Sequence, residues 1–405
     1  MITSIEQEEI HHKEKEARRK IVFRDIILNV VVTLGIISYS FIPTFFFTLI
    51  PAHDLIQQPE FWYELIFHIG VIQCNCTLWL SFTAGSFMNT LETQRTRNIM
   101  VFGLIGNMVT SFLIVCGYII WSVLLSYNYP IPWGFFVIVN VKTVAEFTTL
   151  WLLFPARWRK HEDFKRRFFF MIMAVATFYG MYFPYIVVTV ILNANQNEYQ
   201  PIIALTLPFI REVVVWIGAK LLMRSAAGDS RGAIIFFNYT VTVQHTVMIC
   251  YAMGDVLTDT TSWVLMGLDV FTNIYLALRI VWWRKTSEKI DDCVSVLEEL
   301  VIAELAEFHA PLSFLLIFVV AWFGPNSELF GNIGNSYWQF ERVDDIHEAV
   351  RNMVIFFAVD FGSAIVSAII LQVTCKINLL AATSSMQKEF GPIFSTALAI
   401  VVSTV

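Results

Sequence analysis

Charge is what this sequence lacks. Lys, Arg, Asp and Glu together make up 15% of its 405 residues, against roughly a quarter in an ordinary soluble domain. So thin a supply cannot coat a soluble protein of this size, which excludes a soluble enzyme, a disulfide-rich secreted module and a disordered chain. A basic excess is missing too. The net charge is -6, so a nucleic-acid partner has no electrostatic basis. Six cysteines are present, at Cys74, Cys76, Cys116, Cys250, Cys293 and Cys375. All but Cys293 lie in or beside apolar runs, so no disulfide framework is expected. The Cys74/Cys76 pair points to two sides of a helix and reads as small buried hydrophobes.

The usual catalytic signatures are also absent: there is no HExxH, GxSxG, GxxxxGK[ST] or GxGxxG. We therefore expect no enzyme, no cofactor and no metal site. Residues 1–20 are polar and charged, and the first apolar run is too long for the core of a signal peptide. Lipidation motifs are missing. The two glycosylation sequons, at Asn75 and Asn238, fall inside apolar runs, where glycosylation is not expected. No DRY-like or NPxxY-like pattern occurs, and the span count argues against a heptahelical receptor.

What the chain does have is apolar length. Hydrophobic residues make up 57% of it, with 36 Phe and 12 Trp, a composition suited to lipid-facing helices and interfacial belts. A span needs about 20 mostly apolar residues. Such runs occur over 26–50, 64–88, 99–126, 131–155, 168–192, 202–223, 232–253, 262–283, 311–324 and 350–374. The ninth is short, and the helix before it can lengthen it. An eleventh candidate, 391–405, is marginal. The expected fold is an all-α polytopic membrane bundle of about ten transmembrane helices.

Lys and Arg set the orientation. The N-tail carries Lys13, Lys15, Arg18, Arg19, Lys20 and Arg24. The loop after the fourth span carries Arg157, Arg159, Lys160, Lys165, Arg166 and Arg167. The loops of the opposite side hold only Arg342 and Arg351 among the 27 basic residues. Both the N-terminus and the even-numbered loops are therefore expected in the cytosol. This divides the chain into a polar tail (1–25), spans one to eight (26–283), a cytosolic segment (284–310), spans nine and ten with the outer loop 325–349 (311–374), and a C-terminal segment (375–405). Ten spans also split as five plus five of opposite orientation, as in transporters with inverted repeats. Gly35 and Pro43 interrupt the first span, and Pro208 and Gly218 the sixth.

Residues 286–309 are amphipathic. Ile290, Cys293, Val294, Leu297, Leu300, Val301, Leu305 and Phe308 recur at helical spacing, with Asp291, Asp292, Glu298, Glu299 and Glu307 on the other side. An acidic face disfavours anionic lipid, so this helix is expected to pack on protein, either a partner or a second copy.

Charges inside spans are costly and mark a site by default. Lys220 and Arg279 lie near a span end and can snorkel. Those nearer the middle are Lys142 and Glu146 in the fourth span, Arg211 and Glu212 in the sixth, Asp269 in the eighth and Asp360 in the tenth. His245 in the seventh joins them. Lys142 and Glu146 stand four apart and can pair along one helix face. Arg211 and Glu212 are adjacent, diverge by about 100° around the helix, and are each expected to reach another helix. Asp269 and Asp360 have no local basic neighbour, so each is expected either to pair with Arg211 or Lys142 or to take up a proton or a cation. His68 and His245 stand alone in sequence, which argues against a multi-histidine metal site.

The function these residues point to is passage of a small polar solute or ion through a polar interior between spans four, six, eight and ten. The lipid bilayer is the expected surrounding and the solute the expected ligand. Two other readings use the same residues: a signalling receptor that transports nothing, and a structural or assembly protein that docks through 286–309.

Overall fold

A computed structural model describes residues 156–194, 199–225, 231–255, 259–286, 290–323 and 343–404, with a few positions between 27 and 154. The first four expected spans, including Lys142 and Glu146, lie outside these described residues, apart from such scattered positions.

Every described element is a helix. In chain order they are α1 (Ala156–Arg159), α2 (Glu162–Gly180), α3 (Tyr182–Ala194), α4 (Gln200–Ala204), α5 (Thr206–Ser225), α6 (Arg231–Asp255), α7 (Asp259–Thr286), α8 (Ile290–Phe323), α9 (Val343–Cys375) and α10 (Leu379–Thr404). Five stretches are long and apolar enough to cross a membrane: 162–192, 200–225, 231–250, 259–286 and 350–375. They coincide with the fifth, sixth, seventh, eighth and tenth runs read from the sequence, because length and hydropathy are local properties of the chain.

The region of the ninth run differs. The amphipathic segment and the short run after it form one helix, α8, that passes through Pro311 without a break. Proline has no N–H, so the main-chain carbonyl of Glu307 cannot receive its i+4 bond. Neighbouring helices make such a defect tolerable inside a bundle. Val296, Leu300, Val301 and Leu305 do pack on protein, but on the chain's own core. The eleventh candidate lies within α10, which folds back onto α6 and α8.

Helix α6 is the centre of the described helices. It packs against α5, α8, α9 and α10, and every residue from Tyr239 to Cys250 is buried. Its threonines return their hydroxyls to the helix itself: Thr240 to Phe236, Thr242 to Asn238 and Thr246 to Thr242. Burial of these polar groups is therefore not left uncompensated. Gly218 of α5 permits the α5–α6 crossing, since a methyl group there would overlap the Phe237 ring. At the other side, Phe154, Phe164 and Phe168 stack with Trp151 into an aromatic cluster, with centroids 4.9 to 6.3 Å apart.

Candidate functional site: a buried acidic locus

Four helices bring ionisable side chains to one place in the interior. Helix α5 supplies Arg211, α7 supplies Asp269, α8 supplies Glu307 and α9 supplies Asp360, all four buried. Arg211 lies within electrostatic reach of Asp269 and Glu307. Asp360 lies within reach of Glu307, Asp269 and Glu304. Arg211, Asp269 and Asp360 are three of the candidates singled out in the sequence. Lys142 and Glu146 fall outside the described residues.

The expectation for Arg211 and Glu212 needs correction. Arg211 does act on α7 and α8, but the two residues also pair with each other, Oε1 of Glu212 accepting from both Nε (3.1 Å) and Nη2 (2.7 Å) of Arg211. Adjacent Cβ atoms do point apart, but both side chains are long enough to bend back. The arginine side chain stays inside at 9% exposure while the glutamate stays outside at 56%.

A hydrogen-bonded bridge ties three of the helices. Asn273 of α7 donates its amide hydrogens to Oε2 of Glu307 at 2.7 Å and to Oγ of Ser363 at 3.2 Å. Ser363 donates in turn to the main-chain carbonyl of Asp360 at 2.8 Å. The oxygens left over are informative. Oδ1 of Asn273, Oε1 of Glu304, Oγ of Ser367 and both carboxylate oxygens of Asp360 are buried without a hydrogen-bond partner among the described residues. Buried polar atoms are nearly always satisfied, so five bare oxygens in one region mark a place that ordinary packing does not complete.

His245 stands next to this locus, within reach of Arg211. The Tyr185 hydroxyl of α3 donates to the carbonyl of Leu207 at 3.3 Å and also meets Nδ1 of His245. The hydroxyl can donate to or accept from Nδ1 according to the ring's tautomer, and the other ring nitrogen is Nε2. That Nε2 is buried and without a partner among the described residues. A second tyrosine–histidine pair sits on the far side of α8, where Nδ1 of His309 lies 2.8 Å from the Tyr239 hydroxyl. Gln387 of α10 donates to Thr33 at 3.1 Å beside it.

Sequence reading missed Glu304, Glu307, His309 and Tyr185. Glu307 fell on the acidic side of a helix that was expected to end at residue 309. Its position half-way along the continuous run 290–323 is the signal that places it inside. Among the described residues, no group of three or more His, Cys, Asp and Glu side chains is arranged to hold a metal ion. Compared with known proteins, the chain matches no protein-family model, no curated protein and no solved structure.

Proposed function

We propose that this protein moves a small polar solute or ion across its membrane, with the N-terminus in the cytosol, and that the acidic locus takes up the proton or cation that crosses. The observation that carries this reading is Asp360: its residue is 4% exposed, and neither carboxylate oxygen has a partner among the described residues. Removing an ionised carboxylate from water costs many kcal/mol unless it is paired or neutralised. The cationic side chain of the locus, Arg211, is already engaged by Glu212. Among the described residues, Asp269, Glu307 and Asp360 therefore share with Glu212 the single cation Arg211, and a mobile proton or cation supplies the charge still missing. A buried carboxylate within a membrane-crossing stretch is by default a candidate for an ion or proton path.

The test is flux. Full-length protein is reconstituted in liposomes that enclose a pH-sensitive dye, and proton entry is driven by a potassium diffusion potential. Sodium entry is followed in parallel with the radioactive ion. The wild-type chain passes one of the two above the rate of empty liposomes, and Asp360→Asn, still folded, does not. Equal flux through Asp360→Asn, or no flux of either ion through the wild-type chain, removes the reading.

A further inference from the structure

Away from the acidic locus, the basic end of the bundle presents two arginines that have no acid among the described residues. Arg166 of α2 and Arg224 of α5 both hold their guanidinium carbons 5.7 Å from the centre of the same ring, Phe170. The two groups are thus at most twice that distance apart, a separation a phospholipid headgroup can span. The acids of the first turn of α2 are already occupied: Glu162 pairs with Lys165 at 2.5 Å and Asp163 with Arg167 at 2.9 Å. Neither Arg166 nor Arg224 forms an ion pair among the described residues. One turn before Arg224, the ammonium of Lys220 rests 3.6 Å over the ring of Trp216, which adds a third cation on the same flank. Two like charges held against one ring repel, and an anion between them relieves that repulsion.

The position identifies the anion's source. Arg166 and Arg224 lie at the ends of the membrane-crossing stretches 162–192 and 200–225. Directly toward the apolar side of them, Phe169, Trp216 and Met223 are exposed, as lipid-facing side chains are. Tryptophan and basic side chains at such a level are interfacial anchors, and basic sites between helices on the cytosolic side take anionic headgroups.

We propose that Arg166 and Arg224 form a site for the phosphate of an anionic phospholipid, with Lys220 beside it and the acyl chains lying along Phe169, Trp216 and Met223. Guanidinium suits this task because it offers a planar fork of donors to phosphate oxygens. The site is independent of the transport reading and stands or falls by itself.

The experiment uses full-length protein in detergent and follows thermal unfolding by tryptophan fluorescence. Dioleoylphosphatidylglycerol, dioleoylphosphatidylcholine and inorganic phosphate are added separately. A ligand that binds only the folded state raises the midpoint. We expect phosphatidylglycerol to raise it, with phosphatidylcholine and phosphate doing so little or not at all. Arg166→Gln with Arg224→Gln should weaken lipid affinity by about tenfold or more, because both cations that attract the anionic headgroup are removed. Arg284→Gln, which removes a basic residue elsewhere, should keep the wild-type response. If the double variant does not fold, the two single variants are measured in its place. An undiminished lipid shift in these variants overturns the proposal. So does an equal shift with phosphatidylcholine, and so does a full shift with phosphate alone, which would make this a free-anion site.

Discussion

Asn273 on α7 donates to Glu307 on α8 at 2.7 Å, and this is the shortest polar link between two helices of the acidic locus. The bond gives a buried carboxylate its donor. Asn273→Ala removes it and leaves Glu307 without that partner, which should cost about 1–3 kcal/mol of stability. Adding Glu307→Gln should return part of the loss, since an amide is cheaper to bury unpaired than a carboxylate. Thermal unfolding of the single and double variants measures this. Strictly additive losses would show that the two side chains do not act on each other.

Asp360 and Arg211 should behave as strangers. Breaking a buried ion pair by removing one partner costs about 3–5 kcal/mol. Arg211 pairs with Glu212, so Asp360→Asn should be neutral or stabilising, and Arg211→Gln added to it should give no rescue. A large loss in Asp360→Asn that Arg211→Gln repairs would reveal a direct pair and contradict the arrangement described above.

Gly218 is set by contact, not by backbone conformation. Its added methyl would meet the Phe237 ring, which is itself buried and has little room to swing away. Gly218→Ala should destabilise by roughly 1–3 kcal/mol through overpacking. Phe237→Leu on the same background should relieve part of that cost. Unfolding midpoints of the four proteins decide it.

The turn from α9 to α10 rests on Lys376, whose φ of 55° is left-handed. The N–H of Ile377 reaches back to the carbonyl of Leu371 at 3.2 Å across it. A side chain strains that conformation and glycine does not, so Lys376→Gly should stabilise by about 0.5–1 kcal/mol. Asn378 caps the next helix, its Oδ1 accepting from the N–H of Ala381 at 3.2 Å. Asn378→Ala should therefore cost about 1 kcal/mol. Opposite signs for two substitutions two residues apart make a sharp comparison by chemical denaturation.

Orientation is checked on α7, whose ends lie on opposite sides if the helix crosses the membrane. A cysteine at Asp259 should react with an impermeant maleimide on intact cells, and one at Lys285 only after permeabilisation. Reaction at Lys285 from outside would invert the orientation drawn from the distribution of Lys and Arg.

These residues also show what a sequence reveals and what it conceals. The five membrane-crossing stretches were legible because twenty apolar residues in a row declare themselves without reference to the rest of the chain. Arg211, His245, Asp269 and Asp360 were legible as interior groups for the same reason: each interrupts such a run. Partnership was not. The pairing of Arg211 with Glu212 depends on side-chain bending that spacing rules ignore. Glu307 was hidden because its helix begins as an acidic amphipathic segment and becomes apolar only after Pro311. The direction of a helix face changes meaning when its surroundings change from water to protein, and only the packing of α8 against α7 and α9 reveals where that happens.

Helix α6 carries a mechanical implication. Buried between α5, α8, α9 and α10, it keeps Gln244 and a row of threonines covered by its neighbours. Sliding it sideways would drag those groups into hydrocarbon, so it is the mast of the assembly. Helices turning about α6 would leave those groups covered, and Asp269, Glu307 and Asp360, which ride on α7, α8 and α9, would travel with them.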